Sequence, residues 1–133
     1  MKRSEALQPL SRDHHQALVF SKRLLQIYSR DQVAAEAYWR EWRQIAGKDM
    51  LRHFSEEEQR FLKLLRQENA NDLEQRLLSE HTQLRALMAQ DQVDAAIVFA
   101  DLLKQHVRFE ERELFGWIES HSPEALPETA AEV

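Results

Sequence analysis

Turn-forming residues are nearly missing from this chain. Glycine occurs only at Gly47 and Gly116, and proline only at Pro9, Pro123 and Pro127, so few places can bend tightly and helices are favoured. The same scarcity excludes a glycine-rich phosphate cradle, and with it a P-loop or a dinucleotide-binding fingerprint. The 133 residues are enough for one domain with a real core.

Apolar periodicity divides the chain into four amphipathic stretches. The first is expected from Ser11, a possible N-cap, to about Arg30, with Ala17, Leu18, Leu24, Leu25 and Tyr28 at helical spacing. The second runs from Asp31 to about Arg66 on a stripe of Trp42, Ala46, Met50, Phe54, Phe61 and Leu64, and Gly47 weakens the case for an unbroken helix there. After a connection at residues 69–72, Asn71 and Glu74 stand at capping-box spacing ahead of Leu73, Leu77, Leu84 and Met88. Asp91 is the expected cap of the fourth helix, whose stripe of Phe99, Leu103, Val107, Leu114 and Trp117 runs to about Ser120. The economical architecture is an all-α, up-down-up-down four-helix bundle over about residues 10–120, in a single domain spanning 1–133 with a flexible acidic tail from about 121.

Charge and cysteine content narrow the chemistry. A net charge of −5 disfavours nucleic acid as a partner. The absence of cysteine removes disulfides, thiolate nucleophiles, cysteine-ligated clusters and attached c-type haem. The N-terminal MKRSEALQPLSRDHH lacks a signal-peptide apolar stretch, and the uncharged run Ala95–Ala100 is far too short to span a bilayer. The expectation is a soluble, cytoplasmic protein without a membrane partner.

The histidines carry the information. At 100° per residue, His14 shares a face with Ala17, Leu18, Ser21 and Leu25, whereas His15 turns toward the edge with Val19 and Lys22. His53 continues the stripe from Met50 to Phe61, His81 lies between Leu77 and Leu84, and His106 lies between Leu103 and Glu110. A lone histidine on an apolar stripe is usually a hydrogen-bonded core residue. Four of them in one small core, at about 1–3 kcal/mol for each unpaired polar group, call for a compensating partner such as a metal.

Carboxylates join them. Glu57 follows His53 by four residues and Glu110 follows His106 by four, so each pair lies on one helix face directed at the core. Glu56, Glu58 and Glu111 belong to acidic runs and read as solvated, without chemistry. Trp39 and Trp42 read as packing residues, and His15 and His121 as surface residues.

With DHH at 13–15, HFSEEE at 53–58, SEH at 79–81 and HVRFEERELF at 106–115, the chain resembles the hemerythrin-like, or HHE cation-binding, domain over about residues 10–119. That resemblance implies a non-haem di-iron centre in a four-helix bundle, with His14, His53, His81 and His106 as terminal ligands and Glu57 and Glu110 as bridges. Oxygen-carrying hemerythrins have a further histidine where this chain has Arg85, leaving positions for water, an exogenous ligand or His15. The resemblance therefore points to O2 or NO binding or iron handling in sensing, scavenging or stress response, with an external reductant, rather than to oxygen storage.

Imidazole with carboxylate suits Fe, Zn or Mn, and six side chains around a shared carboxylate pair suit two ions. The Glu-x-x-His order of ferritin-like proteins and the zincin motif are both absent, and bis-histidine haem ligation leaves the paired glutamates unexplained. The competing readings are a metal-free helical interaction module, with a homodimer as one form, and a zinc- or manganese-dependent hydrolase. No catalytic residue is assigned.

Overall fold

The computed structural model describes residues 3–121, so the expected acidic tail beyond His121 lies outside the described residues. Helix α1 spans Gln8–Tyr28, α2 Gln32–Gln67, α3 Asn71–Met88 and α4 Val93–Phe109. A π-helical turn, Glu110–Leu114, then leads without a break into α5, Phe115–His121. Helix α1 packs on α2 and α4, and α3 packs on the same two, which gives the expected all-α four-helix bundle.

The helix ends differ in detail from the sequence expectation. Helix α1 begins before Ser11 because Pro9 fits the first turn, where its fixed φ is helical and no N–H is needed. Ser11 is therefore not a cap; its hydroxyl donates to Glu111 at 2.7 Å. Asp31 does cap α2, accepting from the Ala34 N–H at 3.1 Å. Asn71 is the first residue of α3 rather than its cap, and no side chain caps that end. Asp91 does not cap α4, which follows Gln92, because the Asp91 carboxylate is drawn to Arg43.

Helix α2 closes on a Schellman motif. Asn69 takes a left-handed φ of 55°, and the Ala70 N–H then reaches the Leu65 carbonyl at 2.9 Å. Asparagine tolerates that conformation, so no glycine is needed to turn the chain into α3. Helix α2 also runs unbroken through Gly47.

Two apolar clusters fill the bundle. One gathers Phe20, Leu24, Trp39, Phe54, Phe99 and Leu103, and the other Leu10, Phe61, Leu65, Phe109, Phe115 and Ile118. Trp39 and Leu65 are fully buried on α2, while Trp42, Ala46, Met50 and Leu64 of the expected stripe are only half-buried. The π turn shifts the last stripe in the same way. Its wider coil brings Phe115 and Ile118 inward beside Leu114, and leaves Trp117 at the margin.

Candidate metal centre

His14 from α1, His53 and Glu57 from α2, His81 from α3, His106 from α4 and Glu110 from the π turn are all buried, none more than 5% exposed. They form two overlapping groups: His14, His53, Glu57 and Glu110, and Glu57, His81, His106 and Glu110. Within each group the candidate ligand atoms lie within 4.8 Å of one another. Glu57 and Glu110 belong to both.

The Nε2 atoms point inward. His14 Nε2 lies 2.8 Å from Glu110 Oε1 and 3.5 Å from Glu57 Oε2. The Nε2 atoms of His53 and His81 lie 3.1 Å from Glu57 oxygens, and that of His106 lies 3.1 Å from Glu110 Oε1. Yet His14 Nε2, His106 Nε2, Glu57 Oε2 and both Glu110 oxygens have no aligned hydrogen-bond partner. Close spacing without alignment is what donors aimed at a common point produce, since two ligands about 2.1 Å from one ion at right angles are about 3 Å apart. The donor set and its orphaned atoms fit a metal ion, and these buried groups can hold one.

Each ring is held from behind by a second carboxylate. Asp13 accepts from His53 Nδ1 at 2.9 Å, Glu58 from His81 Nδ1 at 2.6 Å, Glu80 from His106 Nδ1 at 2.7 Å, and Glu111 from His14 Nδ1 at 2.6 Å. An Nδ1–H committed outward fixes the ring orientation and leaves Nε2 for the centre. Arginines brace three of these acids. Arg85 donates to Glu58 at 2.8 Å and Arg76 to Glu80 at 3.1 Å, while Arg3 lies 3.3 Å from Glu111.

The outer acids form a closed circuit around the bundle. Helix α1 hands Asp13 to α2, α2 hands Glu58 to α3, α3 hands Glu80 to α4, and the π turn hands Glu111 back to α1. Each acid adjoins an inward residue of its own helix, preceding it on α1 and α3 and following it on α2 and the π turn. A one-residue step rotates a side chain by 100°, and reversing helix direction reverses its sense, so the alternation sends all four acids the same way round.

This overturns the sequence reading of Glu58 and Glu111 as solvated residues. Neighbouring acids in a run look alike until the bundle shows that the next face abuts another helix. The signal available was an acid beside four of the six inward residues: Asp13-His14, Glu57-Glu58, Glu80-His81 and Glu110-Glu111. The structure leaves Glu56 half-buried and outside the cluster. His15 is exposed beside Gln8, Arg12 and Gln16, away from the centre. Arg85 adds no ligand, because it supports His81 through Glu58 and lies over the Phe54 ring.

Charge follows from these contacts. Burial alone lowers the pKa of His14, but the carboxylates of Glu110, Glu111 and Glu57 close around it hold it well above its usual 6.5. His53 is raised to about 10 against its burial by the charge of the adjacent Glu57 and by its hydrogen bond to Asp13. His106 reaches about 9 through Glu110 and Glu80, again against burial. Burial alone raises the Glu57 carboxyl, but the surrounding histidines hold it well below its usual range. Without metal, protons occupy part of the role that a cation fills.

No helix among the described residues is long and apolar enough to cross a membrane. Comparison with protein-family models, curated proteins and solved structures finds no match to this chain.

Proposed function

We propose that this chain is a non-haem di-iron protein of the hemerythrin-like, HHE type that binds O2 or NO or handles iron in sensing, scavenging or stress response. The observation that carries the reading is the pair of overlapping buried ligand groups sharing Glu57 and Glu110. Two groups with two common carboxylates suit two ions bridged by those carboxylates. His14 and His53 would complete one shell, and His81 and His106 the other.

Iron held there supplies a redox-active centre able to take a diatomic ligand, with electrons from an external reductant. The chain's own part is to orient the four rings through their outer acids and to exclude water with the apolar clusters on either side. The reading places the protein in the cytoplasm, with no nucleic-acid or membrane partner and a homodimer as one possible assembly.

Elemental analysis and an optical spectrum of anaerobically purified, iron-reconstituted protein test this directly. Close to two irons per chain is expected. One zinc per chain as the filled state would favour the hydrolase reading, and no bound metal would favour the interaction module.

A further inference from the structure

The four corners of the centre are not closed alike. Behind His14, His81 and His106 the outer acid is braced by Arg3, Arg85 and Arg76 respectively. Behind His53 stands Asp13, 55% exposed and with no arginine partner among the described residues. This corner faces a groove of about 680 Å3 between α1 and α2.

Inward of the groove lies a second, tighter space of about 10 Å3, bordered among others by His14, His53 and His106. That is room for about one water molecule. Asp13, Ala17, Met50 and His53 line both spaces, so these four side chains form the wall between solvent and the buried donors. Ala17 is the smallest of them. Met50 is half-buried, and its unbranched side chain can change rotamer at low cost. Beyond the wall stand His14 Nε2 and Glu57 Oε2, both buried and unpartnered.

We propose that a divalent cation reaches the buried centre through this α1–α2 corner, between Asp13, Ala17, Met50 and His53. The route rests on the metal-centre reading above. Asp13 is the exposed carboxylate of the wall and replaces part of the ion's water shell as it enters. Glu56 adds a second negative charge to the groove, Asp49 is paired with Arg52 at 3.4 Å, and Arg23 opposes them. The entering species is a free metal ion that exchanges its waters for protein ligands as it passes, not a chelate, because the inner space holds nothing larger than a water-sized group.

The test is Co2+ added to metal-free protein, with loading followed by visible absorption and release followed after excess chelator. A passage changes loading and release by the same factor and leaves equilibrium affinity alone. Met50→Ala should therefore speed both, and Ala17→Val should slow both, with circular dichroism confirming the fold. Asp13→Asn should slow loading roughly tenfold at low salt and by less at high salt, as expected for local steering of a cation. Unchanged rates in Met50→Ala and Ala17→Val would overturn the route. So would faster loading in Arg85→Ala than in Met50→Ala, which would place the passage at the α2–α3 corner. Failure of the unmodified protein to bind Co2+ at all would instead remove the metal centre.

Discussion

Adjacent glutamates in this protein do different work one residue apart. Glu57 and Glu110 belong to both ligand groups, whereas Glu58 and Glu111 reach the backs of histidines on neighbouring helices. On the di-iron reading, Glu57→Ala or Glu110→Ala should abolish most iron binding, because each removal would take a donor from both groups. Glu58→Gln and Glu111→Gln should retain binding but weaken it by about 10–100-fold, the usual cost of losing an outer partner. Chelator competition separates the two classes, and equal losses in all four variants would show that no carboxylate bridges. Protons give a second check in the metal-free state. His53 at about 10 and His106 at about 9 bind protons more tightly when folded than at the unfolded value near 6.5. Their contribution to stability is therefore complete below about pH 6.5 and is lost as pH rises through 9 to 10. Urea midpoints of metal-free protein should fall over that window; a flat profile would mean that the rings are neutral in the fold.

Among the helices, the interior was easier to read than the ends. Each inward histidine was legible because it repeats an apolar stripe at helical spacing, a local property that the sequence carries without any tertiary knowledge. Ser11, Asn71 and Asp91 misled as caps, since their side chains or positions answer to Glu111, to the Schellman turn and to Arg43 respectively. The π turn was invisible because an inserted residue in a helix has no compositional mark, yet it decides that Ile118 and not Trp117 is buried. The outer acids escaped for a related reason: Glu111 and His14 are 97 residues apart, and no periodicity links them. Glycine offers a clean prediction at this scale. A Cβ on Gly47 would meet Met88 at an ordinary 3.7 Å, and one on Gly116 would meet nothing within 4 Å. Both sit within helices, so Gly47→Ala and Gly116→Ala should each stabilise the fold by about 0.4–1 kcal/mol in chemical denaturation. A loss at Gly47 would show that the α2–α3 contact beside Met88 cannot accept a methyl group.

For the molecule as a whole, the buried polar layer separates two apolar clusters, and a metal ion held there would add stability by mass action. Free metal at a thousand times its dissociation constant would contribute about 4 kcal/mol, and stripping it should lower the melting temperature by well over 5 °C. An unchanged melt after verified metal removal would support the interaction-module reading. The bundle and its inward residues were legible in the sequence, but the circuit of outer acids emerges only when four helices stand side by side at one height. That circuit carries a consequence for alignment. An apolar seam alone permits a helix to slide by one turn, about 5.4 Å, and find similar greasy neighbours. Here any such slide breaks two links at once, because every helix gives one carboxylate and receives another. The circuit works as a vernier, a scale on which only one setting makes all four marks coincide.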